Sequence, residues 1–200
     1  MNYLRTIWQG MVPANPVFVM ALGLCSTLAV TLRVENAFFM AVMVGATTIF
    51  SSLIISLLRY RIPFRFRLIS YMLVVVTAVI SVEQLLRAWY PDMARALGPY
   101  VGLIVTNCVV MGRLEAYAVS HRPAESFCDA LGVSLGYLFV LLGISGIREL
   151  LGDGTLWGLS VMPEFYIACR VFNSPPGAFI VFAGLLYLVN RLRAAAWRES

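Results

Sequence analysis

Six apolar stretches, each long enough to cross a bilayer as a helix, constrain this chain more than any other feature of its sequence. A spanning helix uses roughly 20 residues, and 60% of the 200 residues are hydrophobic, so six spans account for nearly all apolar side chains. Charged residues make up only 12%, too few to cover a soluble domain. The sequence predicts an all-α polytopic membrane protein with transmembrane helices near 16–32, 36–58, 68–90, 97–120, 126–150 and 175–193.

The charges of the chain form a membrane topology signal. All 15 basic residues are Arg, and they cluster in the short connections between apolar stretches. With the N-terminus inside the cell, ten Arg face the cytoplasm and five face the other side, as the positive-inside rule requires. We therefore expect both termini in the cytoplasm, the connection 152–174 on the outer face, contact with membrane lipid, and no nucleic-acid binding.

The six predicted helices divide into two groups of three that open in the same way. Pro13 precedes a first helix that contains Cys25, and Pro99 precedes a fourth helix that contains Cys108. Because each group has an odd number of spans, the two groups lie in opposite orientations, related by a pseudo-two-fold axis in the membrane plane. The sequence thus predicts a single membrane domain, 1–200, built from two inverted three-helix repeats at about 13–95 and 96–195.

Two of the four cysteines have unusual neighbours. A Cys in an apolar helix is usually a small hydrophobic residue, and we interpret Cys128 and Cys169 in that way. Cys25 and Cys108 instead lie beside polar residues at membrane depth, which are tolerated only where they are buried in protein or line a cavity. The sequence predicts that the first and fourth helices are broken here, with three polar side chains supporting the thiols: Ser26, Thr106 and Asn107.

Thiols at such breaks suit an iron–sulfur cluster. Cys ligates iron as a thiolate, and backbone N–H donors to the sulfurs tune the reduction potential of the cluster. A two-iron cluster needs four Cys, whereas only Cys25 and Cys108 are equivalently placed, so the other two would come from a second subunit built on the same plan. The chain has no CxxC spacing, so by itself it builds neither a zinc ribbon nor a local iron–sulfur loop.

Four segments resemble the RnfE/NqrD family of membrane subunits, and the resemblance covers nearly the whole chain. They are NPVFV at 15–19, LGLCSTLAVT at 22–31, LIVTNCVVMGR at 103–113 and IRELLG at 147–152. The TNC-xxx-GR-x-EA pattern that begins at Thr106 is specific. The resemblance implies a six-helix subunit with inverted repeats in the bacterial inner membrane, paired with a homologous sister of opposite topology (RnfA or NqrE type).

The resemblance also implies a cofactor and a role. In that family the sister subunits share a 2Fe-2S cluster inside the membrane, with two Cys from each, so Cys25 and Cys108 match the metal ligands of this chain and Cys128 and Cys169 match nothing. The complexes include flavin-bearing subunits and move electrons between NADH and ferredoxin or quinone while translocating Na⁺ or H⁺. The chain is then expected to be an electron-relay subunit of an oxidoreductase, not catalytic alone.

Some details of the sequence favour one complex of this kind, and others favour a second. NPVFV at 15–19 and PPGAF at 175–179 are more like the RnfE subunit of the ferredoxin-linked RNF complex. Ser26, VGLI at 101–104 and LLGDGTLWG at 150–158 are more like the NqrD subunit of the Na⁺-pumping NADH:quinone reductase. The sequence favours RnfE, with NqrD as the alternative.

Acidic residues in or near the spans are candidates for an ion path, because ionisable groups at membrane depth are costly and often functional. The candidates are Glu83, Glu115 and Asp129. Each also has a structural interpretation, since Glu83 lies one turn from Arg87 and Glu115 lies close to Arg113. Asp129 is expected to start the fifth helix, where a carboxylate stabilises the N-terminus.

Two other classes of protein share part of this pattern. Inverted repeats with polar residues at central breaks are also typical of secondary transporters and channels, although a transporter needs no matched pair of cysteines. A purely structural membrane anchor would tolerate replacement of both. The chain has a single His and no paired carboxylates, so we assign it no hydrolytic or His-based catalytic residue.

Overall fold

Helices make up nearly all of the described chain. The computed structural model describes residues 22–152, 154–156, 159–160 and 174–198. Within them four helical segments are long and apolar enough to cross a membrane, at Val34–Leu58, Arg67–Trp89, Arg95–Ala118 and Pro123–Gly152, and Pro176–Arg191 forms a shorter apolar helix. This confirms the all-α polytopic class. The start of the first predicted span lies outside the described residues, so the count of six stays a prediction.

The spans are divided into eight described helices. In chain order they are α1 (Leu24–Val30), α2 (Val34–Leu58), α3 (Arg67–Trp89), α4 (Pro91–Leu97), α5 (Val101–Val105), α6 (Cys108–Arg113), α7 (Pro123–Gly152) and α8 (Pro175–Arg198). Short 3₁₀ turns lie at Phe64–Phe66 and Gly98–Tyr100, and a π turn lies at Leu114–Ala118. Two-residue strands, β1 (Thr155–Leu156) and β2 (Leu159–Ser160), pair antiparallel in the connection that was expected to be a loop.

The centre of the fold is the pair α2 and α7, which pack along each other. Gly45 of α2 lies so close to α7 that a Cβ on it would meet the Cβ of Ser134 at 3.2 Å. Small residues of this kind let membrane helices approach closely, because dispersion contacts rather than water exclusion hold them together. Fully buried side chains from both helices form the core around the contact, among them Met40, Val44, Val133, Tyr137 and Leu141.

Hydrogen bonds at the ends of α2 and α7 show that the two helices run antiparallel. The backbone N–H of Val34, at the start of α2, donates to Oε2 of Glu149 near the end of α7 over 2.7 Å. At the opposite end, Oγ of Ser56 donates to the carbonyl of His121, just before α7, over 2.7 Å. Each helix therefore ends beside the start of the other. Alternating spans give this relation with or without a repeat, so the inverted repeats stay a prediction.

The fourth predicted span, 97–120, is not a continuous helix. It contains the turn Gly98–Tyr100, then α5, α6 and the π turn. The chain leaves helical geometry between Val105 and Cys108 because Asn107 is extended and its Oδ1 accepts the N–H of Val109 over 3.0 Å, which caps α6. The predicted break in this helix is thereby located one residue before Cys108.

Candidate metal centre at two helix breaks

The two predicted ligand thiols lie side by side. The backbone N–H of Gly23 donates a hydrogen bond to Sγ of Cys108 over 2.8 Å, and the thiols of Cys25 and Cys108 are within interaction range of each other. Cys25 is exposed and Cys108 is half-buried. The fold therefore brings these distant parts of the chain together, with one thiol open at the surface of the subunit.

The break before α1 depends on Gly23. This residue has a φ of 83°, a left-handed conformation that glycine adopts without steric cost. A Cβ here would lie 2.9 Å from Cγ2 of Val109 and 3.2 Å from Cε2 of Tyr137. The missing side chain thus allows the first break to pack against the second, which brings the Gly23 N–H to the sulfur of Cys108.

A buried hydrogen-bond network lies directly behind the thiols. Oγ of Ser26 lies 2.6 Å from the hydroxyl of Tyr137 and accepts a bond from Nδ2 of Asn107 over 3.3 Å. Ser26 also donates to the carbonyl of Gly23 over 2.9 Å. The polar neighbours Ser26 and Asn107 therefore support the two breaks together, because each is fully buried and bound to the other.

The third predicted supporting residue, Thr106, is placed differently. Its side chain is exposed, and its hydroxyl donates to the carbonyl of Gly102 one turn earlier, over 3.1 Å. Thr106 thus completes the end of α5. A supporting role for it at the thiols stays a prediction.

The donor set is incomplete within the described chain. No group of three or more His, Cys, Asp or Glu side chains in the described ranges is placed to hold a metal ion. Cys25 and Cys108 can supply two thiolates, half of the four that a two-iron cluster uses. An exposed thiol beside a half-buried one, with a backbone N–H directed at sulfur, fits a cluster that is completed by another chain. Cys128 is a half-buried free thiol, and Cys169 lies outside the described residues.

Two of the ion-path candidates form ion pairs outside the buried core. Glu83 binds Arg87, with 2.6 Å between Oε1 and Nη2, as the spacing of one helical turn predicted. Glu115 lies 3.9 Å from Arg67 of α3, so the expected pairing of Glu115 with Arg113 is wrong. The reason is that Arg113 faces α7 at the end of α6, whereas Glu115 follows it in the π turn.

The third candidate, Asp129, is buried in an ion pair between helices. Nε of Arg113 donates to Oδ2 of Asp129 over 2.9 Å, and Nη2 of Arg113 donates to Oδ1. The expectation that Asp129 starts the fifth helix is wrong, because α7 already begins at Pro123 and Asp129 lies in its second turn. It neutralises Arg113 instead of capping the helix. An ion-path role for any of the three acids stays a prediction.

The residue at this site that the sequence pattern did not reveal is Tyr137. It lies in the middle of a span whose pattern predicts only a buried or lipid-facing aromatic ring. The available signal was a hydroxyl-bearing ring beside Gly136 at membrane depth, where a phenol needs a partner and Phe does not. A sequence pattern does not tell which break that hydroxyl faces.

Comparisons with known proteins agree with the membrane-subunit class. A family model described as "Rnf-Nqr subunit, membrane protein" matches residues 3–186. The D subunit of the Na⁺-translocating NADH-quinone reductase of Aeromonas hydrophila subsp. hydrophila is 43% identical over 181 residues, which cover 88% of this chain and 86% of that protein.

Two further relatives are D subunits of the same kind of reductase. The one from Tolumonas auensis is 42% identical over 184 residues, covering 90% of this chain and 86% of the relative. The one from Photobacterium profundum is 41% identical over 186 residues, covering 90% and 89%. These names support NqrD, the alternative drawn from the sequence, better than the preferred RnfE.

Proposed function

The chain belongs to the Rnf-Nqr family of membrane subunits, and from that premise we propose that it is an electron-relay subunit of a Na⁺-translocating NADH-quinone reductase. The observation that carries the proposal is the meeting of Cys25 and Cys108 at the subunit surface. The relatives named for that reductase support the choice of complex. The chain acts within a larger assembly and does not catalyse a reaction alone.

Cys25 and Cys108 provide two of the four thiolate ligands of a 2Fe-2S cluster, and a homologous sister subunit of the NqrE type provides the other two. When bound, such a cluster supplies a one-electron carrier within the membrane. The exposure of Cys25 supports the shared arrangement, because a ligand that faces out of one subunit is available to a group held between two. Flavin-bearing subunits of the same complex are the expected electron partners.

The chain's own residues hold and orient the two sulfur atoms. The Gly23 N–H donates to Cys108 Sγ and thereby fixes the position of that sulfur atom. Ser26 and Asn107 fix the backbone on either side. The contribution of this chain to the reaction is therefore positioning and tuning.

The test replaces one cysteine at a time in the assembled complex. Cys25→Ala and Cys108→Ala should each lower cluster occupancy at least about tenfold, measured as iron and acid-labile sulfide and as the EPR signal of the reduced complex. Cys128→Ala is the matched control, because Cys128 is a half-buried free thiol outside the site, and it should retain the wild-type signal.

Activity separates the relay from other functions. Both ligand variants should lose electron transfer from NADH to quinone while NADH oxidation by an artificial acceptor at the cytoplasmic subunits continues. A solute transporter or a structural anchor predicts the opposite, that quinone reduction survives the loss of Cys25 or Cys108. Survival of quinone reduction with full iron content would overturn the proposal.

A further inference from the structure

Tyr137 of α7 connects the two helix breaks through its buried hydroxyl group. The hydroxyl lies 2.6 Å from Oγ of Ser26, and the same Oγ accepts the bond from Asn107. Ser26 directly follows Cys25, and Asn107 directly precedes Cys108. The side chains of Tyr137, Ser26 and Asn107 are all fully buried. Their hydrogen bonds thus link the two positions that adjoin Cys25 and Cys108.

The ring of Tyr137 makes a second contact with the same site. Its Cε2 lies 3.2 Å from the position that a Cβ of Gly23 would occupy, and the N–H of Gly23 binds the sulfur of Cys108. The hydroxyl therefore sets the position of Ser26, while the ring limits the position of Gly23. The hydroxyl and the ring of Tyr137 both lie on the side of the thiols that faces the protein interior.

Packing alone does not account for the hydroxyl. Phe would fill the same volume in this apolar span without a polar atom to satisfy, and a buried hydroxyl destabilises a protein unless it is hydrogen-bonded. Here the hydroxyl is bonded to a network that ends at both helix breaks. Outer hydrogen bonds of this kind orient metal ligands and tune the metal that they bind.

We propose that Tyr137 is a positioning residue that fixes the relative placement of the Cys25 and Cys108 sulfurs by holding Ser26 and, through it, Asn107. The proposal deepens the proposed function, on which it rests for the identity of the thiols as cluster ligands. Loss of the hydroxyl leaves the ring and the Asn107–Ser26 bond in place but removes the bond that holds Ser26 to α7, so the two breaks are fixed less firmly relative to each other. Tyr137→Phe should therefore retain the cluster and change its properties.

The first measurement is a redox titration of the assembled complex followed by EPR. In Tyr137→Phe the ratio of oxidised to reduced cluster at a fixed applied potential should change about three- to tenfold, with altered g-values and near wild-type iron content. A tenfold change in this one-electron ratio equals about 59 mV. Tyr71→Phe is the matched control, because Tyr71 is equally buried but its hydroxyl takes no part in the network, and it should leave the ratio unchanged.

The second measurement does not require the cluster. The full chain is produced without the other subunits, and its membranes are treated with a small maleimide, with the modified cysteines quantified by mass spectrometry. Looser packing of the two breaks should expose the half-buried sulfur of Cys108 and raise its alkylation rate about three- to tenfold in Tyr137→Phe, while exposed Cys25 keeps its rate. Tyr71→Phe should again match the wild type.

A double-variant comparison tests the route through Ser26. If Tyr137 acts through that side chain, Ser26→Ala alone should have nearly the full effect, and adding Tyr137→Phe should change little, because residues in one network are not additive. Wild-type values for Tyr137→Phe in both measurements would overturn the proposed role of Tyr137. An EPR signal that still depends on Cys25 would in that case leave the proposed function intact. If that signal is absent from the wild type, the proposed function fails, and the alkylation rate alone decides the role of Tyr137.

Discussion

At the scale of single residues, Gly23 shows how the absence of a side chain shapes the site. Its left-handed backbone and the nearby Cγ2 of Val109 leave no space for a Cβ. The same residue donates its N–H to Cys108. One position thus combines a conformational demand, a packing demand and a hydrogen bond to sulfur.

Gly23→Ala should destabilise the folded chain by about 1–3 kcal/mol, because a non-glycine residue is strained at this φ and its Cβ overlaps Val109. Displacement of the N–H should also reduce iron content in the complex. Stability is measured by SDS unfolding in detergent micelles and iron by chemical assay. Gly146→Ala is the control, since a Cβ at that helical position meets nothing within 4 Å. Equal stability and equal iron content in Gly23→Ala and Gly146→Ala would show that neither the fold nor the site requires glycine at position 23.

At the scale of elements, the ion pair of Arg113 and Asp129 joins α6 to α7. It ties the helix that begins with Cys108 to the central pair of helices. The side chains are only 16% and 6% exposed, so each charge depends on the other for compensation. The pair anchors the short helix at the end opposite to the thiol.

Arg113→Ala should destabilise the protein by about 3 kcal/mol or more, because it leaves the Asp129 carboxylate buried without its partner. Arg87→Ala removes the more exposed pair with Glu83 and should cost at most about 1 kcal/mol. Both are measured by the same SDS unfolding assay. The replacement of both Arg113 and Asp129 by Leu should recover part of the loss, and failure of Arg113→Ala to exceed Arg87→Ala would contradict the anchoring role.

Hydropathy predicted the long elements well because burial in lipid is decided by local composition. The expected spans 36–58, 68–90 and 126–150 agree within three residues with α2, α3 and α7. The break at Cys108 was also readable, since Asn107 is a strong helix cap at a depth where few polar residues occur.

Side-chain partners were not readable in the same way. Arg113 was expected to pair with Glu115, two residues away, and pairs with Asp129 on another helix instead. Tyr137 was missed because its hydroxyl is explained only by the approach of two breaks that are distant in sequence. Both depend on which helix faces meet, and neither periodicity nor composition specifies that.

At the scale of the whole molecule, the arrangement of Arg predicts the orientation in the membrane. The connection between α2 and α3 contains Arg61 and Arg65, and the opposite ends of the spans carry fewer Arg. Because α2 and α7 run antiparallel, the C-terminal end of α2 and the C-terminal end of α7 lie on opposite faces of the membrane. We therefore expect the 59–67 connection and both termini to face the cytoplasm.

Single cysteines at exposed positions test this orientation in sealed vesicles. Arg61→Cys should react with a membrane-impermeant maleimide only from the cytoplasmic side, and Asp92→Cys in α4 only from the other side, since both positions are exposed in the structure. A chain with neither replacement gives the background from native thiols. Labelling of Arg61→Cys from the outer side would reverse the topology.

The exposed position of Cys25 bears on how such a complex is made. A thiol on the outer surface of a subunit becomes a complete ligand set only when a second surface covers it, so insertion of the proposed cluster coincides with or follows the pairing of subunits. An unpaired chain meanwhile displays an accessible thiol, which is open to oxidation and alkylation once it ionises. Under the proposed function, balanced synthesis of the two partners would protect the site, and the presence of iron would mark a correctly paired assembly.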